Sequence, residues 1–158
     1  MKFDKILVPL DGSVLAEAAL AKAVAIANGG SLSLLCAAEA PFLPGADPID
    51  AQVAAVREAE EYLDSVAKRL SDRGAKNIET HVWYGPPAAA IVEAAQVHKV
   101  DMIVMSTHGR SGLGRLILGS VTESVLRGTR TPILVVRPDS APVEPQRGAA
   151  PAEEPAGV

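Results

Sequence analysis

The chain has 158 residues, 48% hydrophobic but only 3% aromatic, with a formal net charge of -4 and one cysteine. That length builds a single self-sufficient core without staples, and the scarcity of rings leaves the core to Ala, Val, Leu and Ile. Asp139, Glu144, Glu153 and Glu154 stand against Arg147 in the last segment, so the body is nearly neutral; this excludes the broad basic face of a nucleic-acid or anionic-membrane binder.

The first apolar run, Ile6 to Leu10, is too short for a signal peptide or a membrane span, and the chain is expected to be cytoplasmic. Lys5 to Pro9 is apolar without alternation, as buried parallel strands are. Ser13 caps a helix that Asn28-Gly29-Gly30 ends. The second strand is Ser31 to Ala37; it carries Cys36 among apolar neighbours, where a lone thiol is a small hydrophobe suited to a reducing compartment. After a Pro-rich loop, a long charged helix from about Ile49 to Arg73 presents Val53, Val56, Tyr62, Leu63, Val66 and Leu70 on one face.

The third strand, Asn77 to Trp83, alternates Ile78, Thr80 and Val82 against Glu79, His81 and Trp83, as a half-exposed strand near an edge would. Gly85-Pro86-Pro87 opens a helix to about Lys99, Asp101 to Ser106 is a fourth strand, and a Gly, Ser and Arg-rich loop follows from Thr107 to Leu118. A short helix from Ser120 to Arg127 and a fifth strand, Pro132 to Arg137, close the body. From Pro138 onward the chain is Pro, Ala and Glu without periodicity, so 1–137 is read as one domain and 138–158 as a disordered acidic tail.

Five strands alternating with four helices predict an α/β fold: a doubly wound open parallel five-stranded sheet of order 3-2-1-4-5 with helices on both faces. Ligands of such sheets sit beyond the carboxyl ends of the strands where the order reverses, here between the first and fourth strands. The rule selects Pro9 to Ser13 and Ser106 to Ser120.

The second of these segments leaves a buried strand, crosses a glycine-rich loop and enters a helix at Gly119-Ser120, which is how backbone donors are brought to a phosphate. Arg110 and Arg115 are suited to add charge-assisted contacts, and equally to stay solvated. The blander account is that the glycines only turn the loop and that Ser120-Val121-Thr122-Glu123 is a capping box. Glu123 opposes a phosphate at the first turn unless it meets Arg127. Gly109 to Leu116 misses the Walker pattern for want of its Lys and hydroxyl, and Pro9-Leu10-Asp11-Gly12-Ser13 lacks a dinucleotide fingerprint. Asp11 is suited to accept hydrogen bonds from ribose or adenine, and equally to form an Asp-Gly turn.

Val8-Pro9-Leu10-Asp11-Gly12-Ser13, together with the loop from His108-Gly109 to Gly119-Ser120, resembles the universal stress protein family over about residues 2 to 137. Its ATP-binding branch carries Gly, two residues, Gly, nine residues, Gly, then Ser or Thr. Gly109, Gly119 and Ser120 match, and Ser106 stands where the first glycine would be. The resemblance implies ATP as ligand, with any magnesium arriving on it. By the same resemblance Asp11 would hold ribose or adenine, and Pro9, Leu10, Ala37 and Met105 would wall the base. Ser106, His108, Gly109, Gly119, Ser120, Val121 and Thr122 would line ribose and phosphates.

No catalytic constellation is visible, so slow hydrolysis is the most expected of the chain as an enzyme. His81, His98 and His108 fall on separate elements without metal-ligand spacing. The expected function is a nucleotide-dependent signalling or stress-response module; the competing one is a family member that binds no ATP and acts through unknown protein partners. An ATP pyrophosphatase-type ligase would need a different loop after the first strand, and a phosphoacceptor receiver an Asp where Trp83-Tyr84-Gly85 stands. The apolar edge strand Pro132 to Arg137 invites a second copy, giving a homodimer.

Overall fold

In the computed structural model, which describes residues 2–107 and 118–138, the elements alternate as expected. They are β1 (Lys5–Leu10), α1 (Val14–Ala27), β2 (Ser31–Ala38), α2 (Pro48–Asp72), β3 (Ile78–Tyr84), α3 (Pro87–Val97), β4 (Met102–Ser106), α4 (Ser120–Gly128) and β5 (Ile133–Val136). The five strands form one sheet in the order β3-β2-β1-β4-β5, and every pairing is parallel. The order reverses between β1 and β4, as the sequence predicts.

Strand period divides the core into two layers. Ile6, Val8 and Leu10 of β1 join Leu32, Leu34 and Cys36 of β2 beneath α1 and α2. Leu7 and Leu35 point the other way, to Ile103 and Met105 of β4 and to Ile91, Ala94 and Val125 from α3 and α4. Both faces are covered, which is why β1 and β4 read as apolar runs and β2 becomes one after the buried Ser33. Small alanines on α1 and α3 let the helices sit close to the sheet. Tail residues 139–158 lie outside the described residues, while Pro138, read with the tail in the sequence, is buried.

Polar contacts fix α2 against α1. Arg69 donates two hydrogen bonds to the Glu17 carboxylate, from Nη1 at 3.0 Å and Nη2 at 2.9 Å, and the Tyr62 hydroxyl donates a third at 3.0 Å. The Arg69 bonds lead in holding the Glu17 carboxyl below its ordinary range, against a partly buried setting that raises it. Burial, and then the bond to Glu17, push the Tyr62 phenol upward.

One expectation fails at β3. Thr80 is exposed, whereas His81 and Trp83 are partly covered, because His98 at the end of α3 packs on both rings. The alternation expected of a solvent-facing strand is therefore lost over its second half. His81 and His98, which sequence spacing separates, are brought together by this packing.

Candidate functional site

β1 ends at Leu10, and the chain must reverse within three residues to enter α1. The Asp11 Oδ1 accepts from the Ser13 backbone N–H at 2.9 Å and from its hydroxyl at 2.6 Å. Ser13 Oγ then accepts from the Ala16 N–H at 3.1 Å and caps α1. Gly12 sits between them at φ 83°, where a side chain would be strained. Asp11 is therefore a turn-former, and the turn also holds its carboxylate beside a cavity, so the two roles offered by the sequence are compatible.

Across the reversal, the Thr107 N–H bonds to the Val136 carbonyl at 2.9 Å and the Gly119 N–H to the Thr107 carbonyl at 2.7 Å. The second bond ties Thr107 to Gly119, described residues on either side of segment 108–117, which itself lies outside the described residues with His108, Gly109, Arg110 and Arg115 in it. α4 starts one residue earlier than a capping box requires. Gly119 is its N-cap and makes no side-chain cap bond, so Ser120 is the first helical residue rather than the cap. The early start follows from the Thr107 bond, which fixes Gly119 at the helix mouth. Thr122 Oγ1 donates to the Ser106 carbonyl at 3.1 Å and ties the first turn of α4 to the end of β4.

The Glu123 carboxylate is drawn along the helix to Arg127 Nη2, away from the first-turn donors. Those N–H groups have no intrahelical partner by geometry and carry the positive end of the helix dipole.

Between these segments lies a cavity of about 280 Å³. Pro9, Leu10, Asp11, Ala37 and Met105 contribute from the ends of β1, β2 and β4. Ser106, Gly119, Ser120, Val121 and Thr122 contribute from the β4 end and the α4 mouth. Apart from His108, Gly109, Arg110 and Arg115, which lie outside the described residues, the residues singled out for base, ribose and phosphates thus share one cavity. Ala16, Leu35, Glu39, Pro87, Ile91 and Thr107 also line it and were not singled out. Thr107 falls inside the stretch selected by the rule that places ligands beyond strand ends, and Glu39 was findable from the same rule. Ala16 and Ile91 enter from helix faces and carry no local signal.

The chemistry of the walls differs from end to end. Asp11 and Glu39, the charged residues among the described lining, offer hydrogen-bond acceptors. The mouth of α4 offers backbone donors. Pro9, Leu10, Leu35, Ile91 and Met105 make the space between them apolar. This suits a flat ligand with hydroxyl or amino donors on one part and an anionic group on another.

Comparison with known proteins gives one consistent result. A family model described as "Universal stress protein family" matches residues 2–137. Universal stress protein MJ0531 of Methanocaldococcus jannaschii is 36% identical over 141 residues, spanning 85% of this chain and 82% of that one. The solved universal stress protein UspA of Lactobacillus plantarum superposes with a TM-score of 0.75 at 28% identity, covering 87% of this chain and 99% of its own. A universal stress protein solved in complex with cAMP superposes with a TM-score of 0.66 at 25% identity, over 86% of this chain and 98% of that one.

Proposed function

The chain belongs to the universal stress protein family, and from that premise we propose that it binds an adenine nucleotide, ATP, in the cavity at the β1/β4 reversal and works as a cytoplasmic nucleotide-dependent module. The observation that carries this reading is the meeting of the Asp11 turn and the α4 mouth across one apolar slot. The cAMP complex of a structural neighbour supports a nucleotide at this kind of fold.

Pro9, Leu10, Ala37 and Met105 face the base, Asp11 accepts from a donor on ribose or base, and the first turn of α4 receives phosphate. Arg110 and Arg115 supply the cationic side chains that the described lining lacks, and magnesium enters only with the ATP. Occupancy rather than turnover is the output in this reading: ATP changes the surface offered to a partner. Equilibrium dialysis of the purified chain against ATP tests the reading, with mass spectrometry of any ligand released on denaturation. Saturable binding at one nucleotide per chain is expected. No retained nucleotide and no saturable ATP would leave the protein-contact module as the function.

β5 is an edge strand whose four residues, Ile133–Val136, are all only partly buried. An antiparallel pairing of two such edges about a two-fold axis would satisfy both backbones at once, so we place the homodimer there. Sedimentation of the wild-type chain should give twice the monomer mass, and Val135→Pro, which removes an edge donor, should shift it towards monomer. A monomer mass at every concentration, with and without ATP, excludes this dimer.

A further inference from the structure

His81 and His98 meet where edge strand β3 joins the C-terminus of α3, their ring centroids 4.1 Å apart and their planes 29° from parallel. His98 also packs against the Trp83 indole in a T-shaped arrangement, centroids 5.8 Å apart at 82°. The Nε2 atom of His81 is shielded from water and has no hydrogen-bond partner; Glu79 Oε2, two residues along the strand, lies 3.5 Å from it without hydrogen-bond alignment. Nothing proposed for the nucleotide cavity uses these groups.

We propose that the His81–His98 stack is a proton-sensitive clasp that holds α3 to β3 while His98 is neutral and opens when His98 takes up a proton. A proton on one ring sets a positive charge against the face of the other inside a partly covered contact.

The surrounding charges favour the neutral state. Burial first, and then the facing His81, hold the His98 imidazole below its ordinary range; Lys5 on β1 acts in the same direction and Glu79 against it. β2 places Leu35 opposite His81 and contributes no charge there. A helix C-terminus ordinarily favours a protonated imidazole, so burial and the stack outweigh the dipole at this position. Because α3 also supplies Pro87 and Ile91 to the cavity wall, the clasp sits at the far end of a cavity-lining helix, and it stands whether or not a nucleotide binds.

The sign of the effect follows from linkage. With the folded His98 below its unfolded value near 6.5, the unfolded chain binds more protons as pH falls through that region, and stability falls with it. The window lies above the range of Glu17, whose carboxyl Arg69 holds low. Thermal unfolding of the full chain between pH 7.5 and 5.5, followed by circular dichroism and by Trp83 fluorescence, reads it out. The wild-type midpoint is expected to fall by a few degrees. His98→Phe keeps the ring contacts but takes no proton, and should remove most of that slope; Glu79→Gln, a surface change that leaves folding intact, should steepen it. Native-state Trp83 fluorescence should change over the same window in the wild type and not in His98→Phe. Parallel wild-type and His98→Phe profiles, displaced equally at every pH, would mean that the stack is only packing and would overturn the clasp. A Glu79→Gln profile no steeper than wild type would overturn it as well.

Discussion

Asp11→Asn is expected to weaken ATP and adenosine alike by about tenfold to hundredfold, whereas Gly119→Val weakens ATP and largely spares adenosine. The Asn oxygen can still accept from the Ser13 N–H and hydroxyl, which Asp11 Oδ1 does at 2.9 and 2.6 Å, so the turn into α1 survives. What is lost is the charge. A charge-assisted hydrogen bond is worth about 1.5–3 kcal/mol, hence the size of the change, and because ribose and base are common to both ligands, both lose it. Gly119 has φ -64°, an ordinary value for any residue, so Val is compatible with the backbone there. Its branched side chain would stand at the mouth of α4, where first-turn donors must approach a phosphate. Adenosine has none. Isothermal titration of both ligands against both variants, each first shown folded by circular dichroism, separates the two roles. Undiminished ATP affinity in both variants would reduce the glycine-rich segment to a connector and the Asp11 turn to a turn.

The strand order and the reversal between β1 and β4 were legible because buried parallel strands are written as unbroken apolar runs, and because Gly, Pro and Asn mark nearly every turn between them. The misread features depend on partners distant in sequence. At Ser120 the helix starts where the sequence places it, but the cap of the blander account is Gly119, whose N–H bonds to the Thr107 carbonyl, and Thr122 donates its hydroxyl to the Ser106 carbonyl. Along β3, alternation suggested one wet face, but His98 arrives from the end of α3 and covers His81 and Trp83. The cavity divides in the same way. Its strand ends follow from topology, whereas Ala16 and Ile91 come from helix faces that only the assembled layers bring near.

Gly29 and Gly30 look equivalent in the sequence, as a paired stop after α1, yet they should respond very differently to an added methyl. Asn28 and Gly29 both have positive φ, 39° and 93°, and together turn the chain out of the helix. At Gly29 a methyl would meet no atom within 4 Å, so Gly29→Ala pays only for a left-handed backbone, about 1 kcal/mol. Gly30 has no such φ. A methyl there would overlap the backbone carbonyl of Asp4 and press within 3.0 Å of the Ala27 oxygen. Neither oxygen has room to withdraw. The Asp4 carbonyl accepts from the Ser31 N–H at 2.7 Å and so sets the register in which Lys5 pairs with Ser31; the Ala27 oxygen accepts from the Gly30 N–H, also at 2.7 Å. Relief requires moving the start of β2 against β1, the central pair of the sheet. Overpacking of this kind costs about 1–3 kcal/mol or more, and against backbone the upper end is expected, which lowers the melting midpoint by roughly 5–15 °C. Thermal unfolding of Gly30→Ala beside Gly29→Ala tests the distinction. Equal, small losses in the two would show that the β1–β2 junction can yield, and that Gly30 serves the helix stop rather than the close approach of strand to strand.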